Sequence, residues 1–158
     1  MSTNNTATLG VGILGSMLLG NSGGGLELIT DRTGEDVRLG NEKGVYGAVD
    51  LNRVGDAILY IAGRLKAAGN DIEVSPKTDW TREDIPSPAQ MVHYLEQIQI
   101  IRDALAVYQT TPAVPADMEG LTHNEANDIE KILLDVDELI TNMIAAYYYC
   151  GDLYGGEV

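Results

Sequence analysis

Thr122-His-Asn-Glu-Ala-Asn-Asp-Ile-Glu-Lys-Ile-Leu-Leu-Asp-Val-Asp-Glu-Leu-Ile-Thr-Asn-Met143 is the stretch whose reading decides the fold. It opens with a capping box: the Thr122 hydroxyl and the Glu125 carboxylate can each satisfy a backbone N–H that the first helical turn leaves unpaired. Ile129, Ile132, Leu133, Val136, Leu139, Ile140, Met143 and Tyr147 then recur at helical spacing, which predicts an amphipathic helix with one buried side. Glu125, Asp128, Glu130, Asp135, Asp137 and Glu138 occupy the other positions, with Lys131 the only base among them. Oxygen-rich cation sites need six or more converging ligands, usually from a loop with a sharp glycine turn. These carboxylates point several ways around a helix, so the expectation is a solvated face with no metal bound.

Working outward, the same grammar recurs twice. Ser87-Pro-Ala-Gln90 is a second capping box with Pro88 at the first helical position, where a missing N–H costs nothing. Met91, Tyr94, Leu95, Ile98, Ile101, Leu105 and Tyr108 form its buried stripe. Upstream, Asp50 is expected to cap a helix whose inner face is Leu51, Val54, Ile58, Ile61 and Leu65, with Gly69 as its stop. Between these helices, Ile72-Glu-Val74 reads as a short extended piece and Ser75-Pro-Lys-Thr-Asp-Trp80 as a turn-rich connection. Trp80 is placed against the side of the bundle. Thr110-Thr-Pro-Ala-Val-Pro115 cannot continue a helix and must cross between elements in extended form. The fold class is therefore mainly α: a three-helix bundle with irregular, Pro-rich connections and a Gly-rich N-terminal arm. The boundaries read from composition are an arm at 1–45, a bundle at 46–149 and a tail at 150–158.

The arm holds Leu9-Gly-Val-Gly-Ile-Leu-Gly-Ser-Met-Leu-Leu19, an apolar run too short for a membrane span and lacking the basic start of a secretory signal. Gly10-Val-Gly-Ile-Leu-Gly15 matches a dinucleotide fingerprint by its letters. It lacks the preceding strand and the following helix that give the motif its chemistry. Packing of an apolar arm that orders on assembly is the expectation, through Leu9, Val11, Ile13, Leu14, Met17, Leu18 and Leu19. Leu26–Ile29 reads as a short strand, and 31–38 and 40–44 as polar turns. At the other end stand Tyr147-Tyr-Tyr149, then Leu153 and Tyr154. Three consecutive rings point three ways around a helix, so one core cannot bury them all. They either lie flat on their own bundle at a frayed end or form an interface, for which tyrosine is well suited.

Composition closes off several functions. The formal charge of −14, with Lys and Arg scattered singly, disfavours nucleic acid and anionic membranes as partners. Eight Tyr, one Trp and no Phe favour half-buried positions and interfaces over a dry core. The single Cys150 excludes an internal disulfide and a cysteine-cluster metal site. His93 and His123 have no second His or Cys at metal-ligand spacing. No catalytic residue, cofactor or metal is expected.

Several blocks taken together resemble a family of phage minor structural proteins common in the tail regions of prophages from gut Firmicutes. They are Asp50-Leu-Asn-Arg-Val54, Lys77-Thr-Asp-Trp-Thr81 with Asp84-Ile-Pro86, Glu125-Ala-Asn-Asp-Ile-Glu-Lys-Ile-Leu133, and the closing Tyr-x-x-Gly-Asp-Leu-Tyr-Gly-Gly-Glu-Val158. Thr30-Asp-Arg-Thr33 extends the match, which covers roughly residues 30–158. The resemblance implies a virion component in the tail, baseplate or fibre attachment, made in the bacterial host cytoplasm. Its partners would be other virion subunits and further copies of itself, with a trimer as the expected symmetry. It carries over no catalytic residue. The family's end reads like Trp-Phe-Tyr-Ser-Gly where this chain has Tyr147-Tyr-Tyr-Cys-Gly151, which keeps an aromatic cluster. The arm at 1–25 falls outside the pattern. The alternative from charge alone is a small acidic phage-encoded inhibitor or DNA mimic that binds a basic host protein.

Overall fold

The computed structural model describes residues 26–156, with side-chain surroundings described through Cys150. Among the described residues there are four helices and no strand: α1 Gly34–Leu39, α2 Ala48–Ala67, α3 Pro88–Asp103 and α4 His123–Gly156. The three long helices pack against one another, as the three amphipathic stripes predict. Leu51, Val54, Ile58, Ile61 and Leu65 of α2, Leu95, Ile98 and Ile101 of α3, and Ile129, Ile132, Leu133, Val136 and Ile140 of α4 make one buried core. Trp80 closes its side, 6% exposed.

Both downstream capping boxes form as read: Ser87 Oγ accepts from the Gln90 N–H and Thr122 Oγ1 from the Glu125 N–H. The expected cap of α2 shifts. Gly47 is the cap, and Asp50 sits one turn inside, its carboxylate accepting from the Gly47 N–H at 2.9 Å. An acid in the first turn satisfies an orphan N–H as well as a cap does, so the sequence pattern reads the same either way. The expected polar turn at 31–38 instead contains α1. Thr33 and Asp36 form a third capping box there, and Gly40 ends the helix in the left-handed region at φ 61°.

The direction of the helices follows from their cross-links. Arg53 near the start of α2 meets Glu130 of α4, and Arg64 near its end meets Asp137 and Thr141. Tyr46, just before α2, meets Tyr94 in α3, and Asn70, just after α2, donates to the Ala104 carbonyl just after α3. All three long helices therefore run the same way, and each connector must travel back along the bundle. Residues 68–87 do so between α2 and α3: Ser75 N–H donates to Gln97 and Trp80 pairs with Asn52. Residues 104–122 return beside α4, with Thr111 bonded to Asp135.

Residues 26–33 form a third extended segment. They are no strand, contrary to the expectation for 26–29, because among the described residues no neighbouring strand supplies the hydrogen bonds. Side chains of α4 supply them instead. Asn127 accepts from the Arg32 N–H at 3.0 Å and donates to the Arg32 carbonyl at 2.9 Å, and Glu130 accepts from the Ile29 N–H at 2.6 Å. Asn52 clamps Trp80 in the same reciprocal way, at 2.8 and 2.9 Å. Each clamp gives an extended backbone the partners that its burial would otherwise remove. Residues 26–45, grouped with the arm by composition, thus pack on the bundle, with Leu26 and Leu28 against its core.

Candidate functional site

The carboxylates of α4 do not all face water. Glu130 is 0% exposed and Asp135 1%, which corrects the expectation of a solvated face. Glu130 Oε1 accepts from Arg32 at 2.6 Å and Arg53 at 2.7 Å, and its Oε2 accepts from the Ile29 N–H at 2.6 Å and Arg53 Nε at 3.0 Å. Asp50 Oδ1 takes the same two arginines at 3.0 and 2.6 Å. Two cations and two anions thus close a buried square, and Tyr46 lies 5.3 Å from the Arg32 guanidinium. Burial alone would lower the Arg53 pKa, but the Glu130 and Asp50 hydrogen bonds hold it well above the usual value. Burial, with those two carboxylates nearby, pushes the Tyr46 and Tyr94 phenols far up; the two share a 2.6 Å hydrogen bond.

The four lone-pair positions of Glu130 are all filled, so it has no acceptor left for a substrate proton. The square fastens the 26–33 segment to α2 and α4 and does structural work. Asp135 is likewise held by Thr111 at 2.6 Å and by Lys131, and Asp137 by Arg64. Arg32, Arg53, Asn52 and Asn127 carry no signal in hydrophobic periodicity. They do lie in the sequence blocks quoted above, and those blocks converge here.

Among the described residues no group of His, Cys, Asp or Glu could hold a metal ion, and no helix is long and apolar enough to cross a membrane. His93 bonds the Ser75 carbonyl at 2.9 Å on the surface. A cleft of about 890 Å³ lies between the 40–47 loop with the start of α2 and residues 80–86, lined by Val45, Val49, Trp80, Arg82 and Asp84 among others. None of these is placed as a nucleophile beside a base.

The expected contact residues at the chain's end are set out differently. Among the described side chains, which run through Cys150, the last buried residue of α4 is Ile140, with Ile144 half-buried, and the helix runs on to Gly156. It continues past the boundary read at 149. Tyr147, Tyr148 and Tyr149 are 70%, 74% and 73% exposed, so they do not lie flat on their own bundle. Residues 143–151 include no charged side chain. Leu153 and Tyr154 belong to α4 by backbone, but their side chains lie outside the described residues. Leu9, Val11, Ile13, Leu14, Met17, Leu18, Leu19 and the Gly10–Gly15 motif lie outside them altogether.

Fold and site together define a class: a helical body whose extended segments are clamped by side chains and whose last helix overhangs with bare aromatic rings. No protein-family model, curated protein or solved structure matches the chain.

Proposed function

We propose that the chain is a non-enzymatic structural component of a phage virion, in the tail, baseplate or fibre attachment, that works through protein contacts. The observation that carries this reading is the overhang of α4, where three successive tyrosines are more than two-thirds exposed. Tyrosine is enriched in interface cores, where its large rigid ring and polar tip can both be used. Because the rings point three ways around the helix, they suit an overhang gripped by neighbours from more than one side. The resemblance to prophage tail-region proteins supplies the setting, and other virion subunits, including further copies of this chain in a trimer, are the proposed partners.

The reading as a small acidic inhibitor or DNA mimic is the weaker one. Of the α4 carboxylates it would present to a basic partner, Glu130, Asp135 and Asp137 are engaged inside the protein.

The test is mass spectrometry of purified particles made in the bacterial host. A Tyr147→Ser, Tyr148→Ser, Tyr149→Ser variant is expected to fold with unchanged circular dichroism yet to be lost from particles. Particles that incorporate it at the normal level, or native particles free of the chain, would overturn the proposal.

A further inference from the structure

Exposed apolar side chains gather at the two ends of the bundle. Because the long helices run the same way, one end holds all three starts. Val45 and Val49 lie there at the start of α2, Ile85 and Val92 at that of α3, and Val37 and Leu39 in α1, which opens with Gly34 beside His123. Tyr147, Tyr148 and Tyr149 lie at the other end. Of the exposed large apolar residues described, only Leu59 stands midway. The cleft of about 890 Å³ opens among the starts, and its lining balances Lys43, Arg53 and Arg82 against Glu42, Asp50 and Asp84. In a chain with 24 acids and 10 bases, that makes it a neutral spot. Trp80 lines it too, and its buried Nε1–H has no acceptor among the described residues. Buried donors are seldom left so, and an incoming acceptor would complete this one.

The end of α4 fits this cleft in shape of charge and in hydrogen bonding. Residues 143–151 include no charged side chain, and after Lys131 the chain has no Lys or Arg at all. Each tyrosine joins an apolar ring, suited to Val45, Val49 and Pro86, to a phenol oxygen that can accept from Trp80 or Arg82. Arg82 has no ion-pair partner among the described residues. The last carbonyls of a helix lack intrahelical donors and carry a partial negative charge, so the end of α4 offers the guanidinium further acceptors. A chain's own overhang cannot reach its own cleft. Arg53 in the cleft wall is level with Glu130, and Tyr147 lies about 26 Å further along one continuous helix, at roughly 1.5 Å per residue. The contact must therefore join two copies.

We infer that α4 of one copy inserts Tyr147–Tyr149 into the cleft beside Trp80 of the next, joining copies head to tail. Such a contact uses two different surfaces, so it closes a ring or grows a filament according to the rotation between copies. The inference rests on the reading of the overhang as a contact surface, and not on the virion setting.

Sedimentation velocity of the full chain and of two variants, alone and mixed, is the test. Tyr147→Ser, Tyr148→Ser, Tyr149→Ser removes the inserted end. Val49→Asp closes the cleft, and an acid in the first turn of α2 favours the helix. If its circular dichroism nevertheless falls, Arg82→Glu takes its place. The native chain should self-associate as its concentration rises, and each variant alone at least about tenfold more weakly. An equimolar mixture of the two should form dimers, because one variant keeps a cleft and the other an overhang. A native chain that stays monomeric overturns the inference, as does a mixture that does. Val49→Asp associating as strongly as the native chain would overturn it too, since the tyrosines would then sit elsewhere. Trp80 is the chain's one tryptophan and reports from the cleft itself. Its emission should shift as the native chain associates, and association with no shift contradicts the inference. Incorporation into particles is a separate measurement, so a monomer found in virions would sink this contact alone, and a head-to-tail assembly absent from virions would sink only the virion reading.

Discussion

Glu130 shows how much a single side chain can organise when every one of its acceptor positions is used. Replacing it with Ala would leave Arg32 and Arg53 buried against only one carboxylate, and would strip the Ile29 N–H of its partner. Removing one member of a buried ion cluster typically costs about 3–5 kcal/mol, because the opposite charge is left uncompensated. Urea denaturation of Glu130→Ala should register a loss of that order, while Glu138→Ala, on the exposed part of the same helix, should stay within about 0.5 kcal/mol of the native chain. Asp36 is an exposed counterpart whose role is local. Hydrogen bonds from Asn41 and from the Thr33 backbone and hydroxyl hold its carboxyl down at about 2, against an ordinary value of 3.8. A depressed acid stabilises above its unfolded value, so the cap of α1 is fully in place above a pH of 3.8 and is lost as pH falls through about 2. An NMR titration should place the Asp36 midpoint near 2, and Asn41→Ala should raise it.

At the scale of elements, what distinguishes this bundle is the way extended segments lie in the grooves between helices that all point one way. Such segments have no strand to pair with, and Asn52, Gln97 and Asn127 supply their hydrogen bonds. They also lie close to the helices. A Cβ built on Gly55 would stand 2.9 Å from the Lys77 carbonyl oxygen and 2.9 Å from the Thr78 methyl. Gly55→Ala should therefore push residues 77–78 away from α2 and cost about 1–3 kcal/mol, as overpacking usually does. Gly63→Ala, with nothing near its Cβ, should be neutral or slightly stabilising by thermal melting, since Ala favours a helix interior more than Gly. The elements legible in advance were those whose signals are local. Ser87–Gln90 and Thr122–Glu125 announce their helices because a cap and its partner lie three residues apart. The short helix at 34–39 carries a Thr33–Asp36 box of the same kind, but its dense Gly, Asp and Asn context reads as turns.

For the whole molecule, the charge divides cleanly into an internal part and an external part. Inside, arginines and carboxylates match, in a setting that salt screens little. Outside, the net charge of −14 remains, and like charges on one surface oppose the compact state. Raising the salt concentration should therefore raise the melting temperature of the native chain, whereas a protein held together by exposed ion pairs would lose stability. The sequence by itself determined the mainly helical class, the central part of the three buried stripes, and the tyrosines that no single core could cover, because capping and periodicity act over one or two turns. The stripes as periodicity draws them run too far, since Leu105 and Tyr108 lie beyond the end of α3 and Tyr147 is exposed. Only the tertiary structure decided that the three long helices run parallel, and that Arg32, Asp50, Arg53 and Glu130 meet. Those contacts join residues such as Ile29 and Glu130 that lie far apart in the chain. A carboxylate off the apolar stripe is indistinguishable from a solvated one until an extended segment is laid across it.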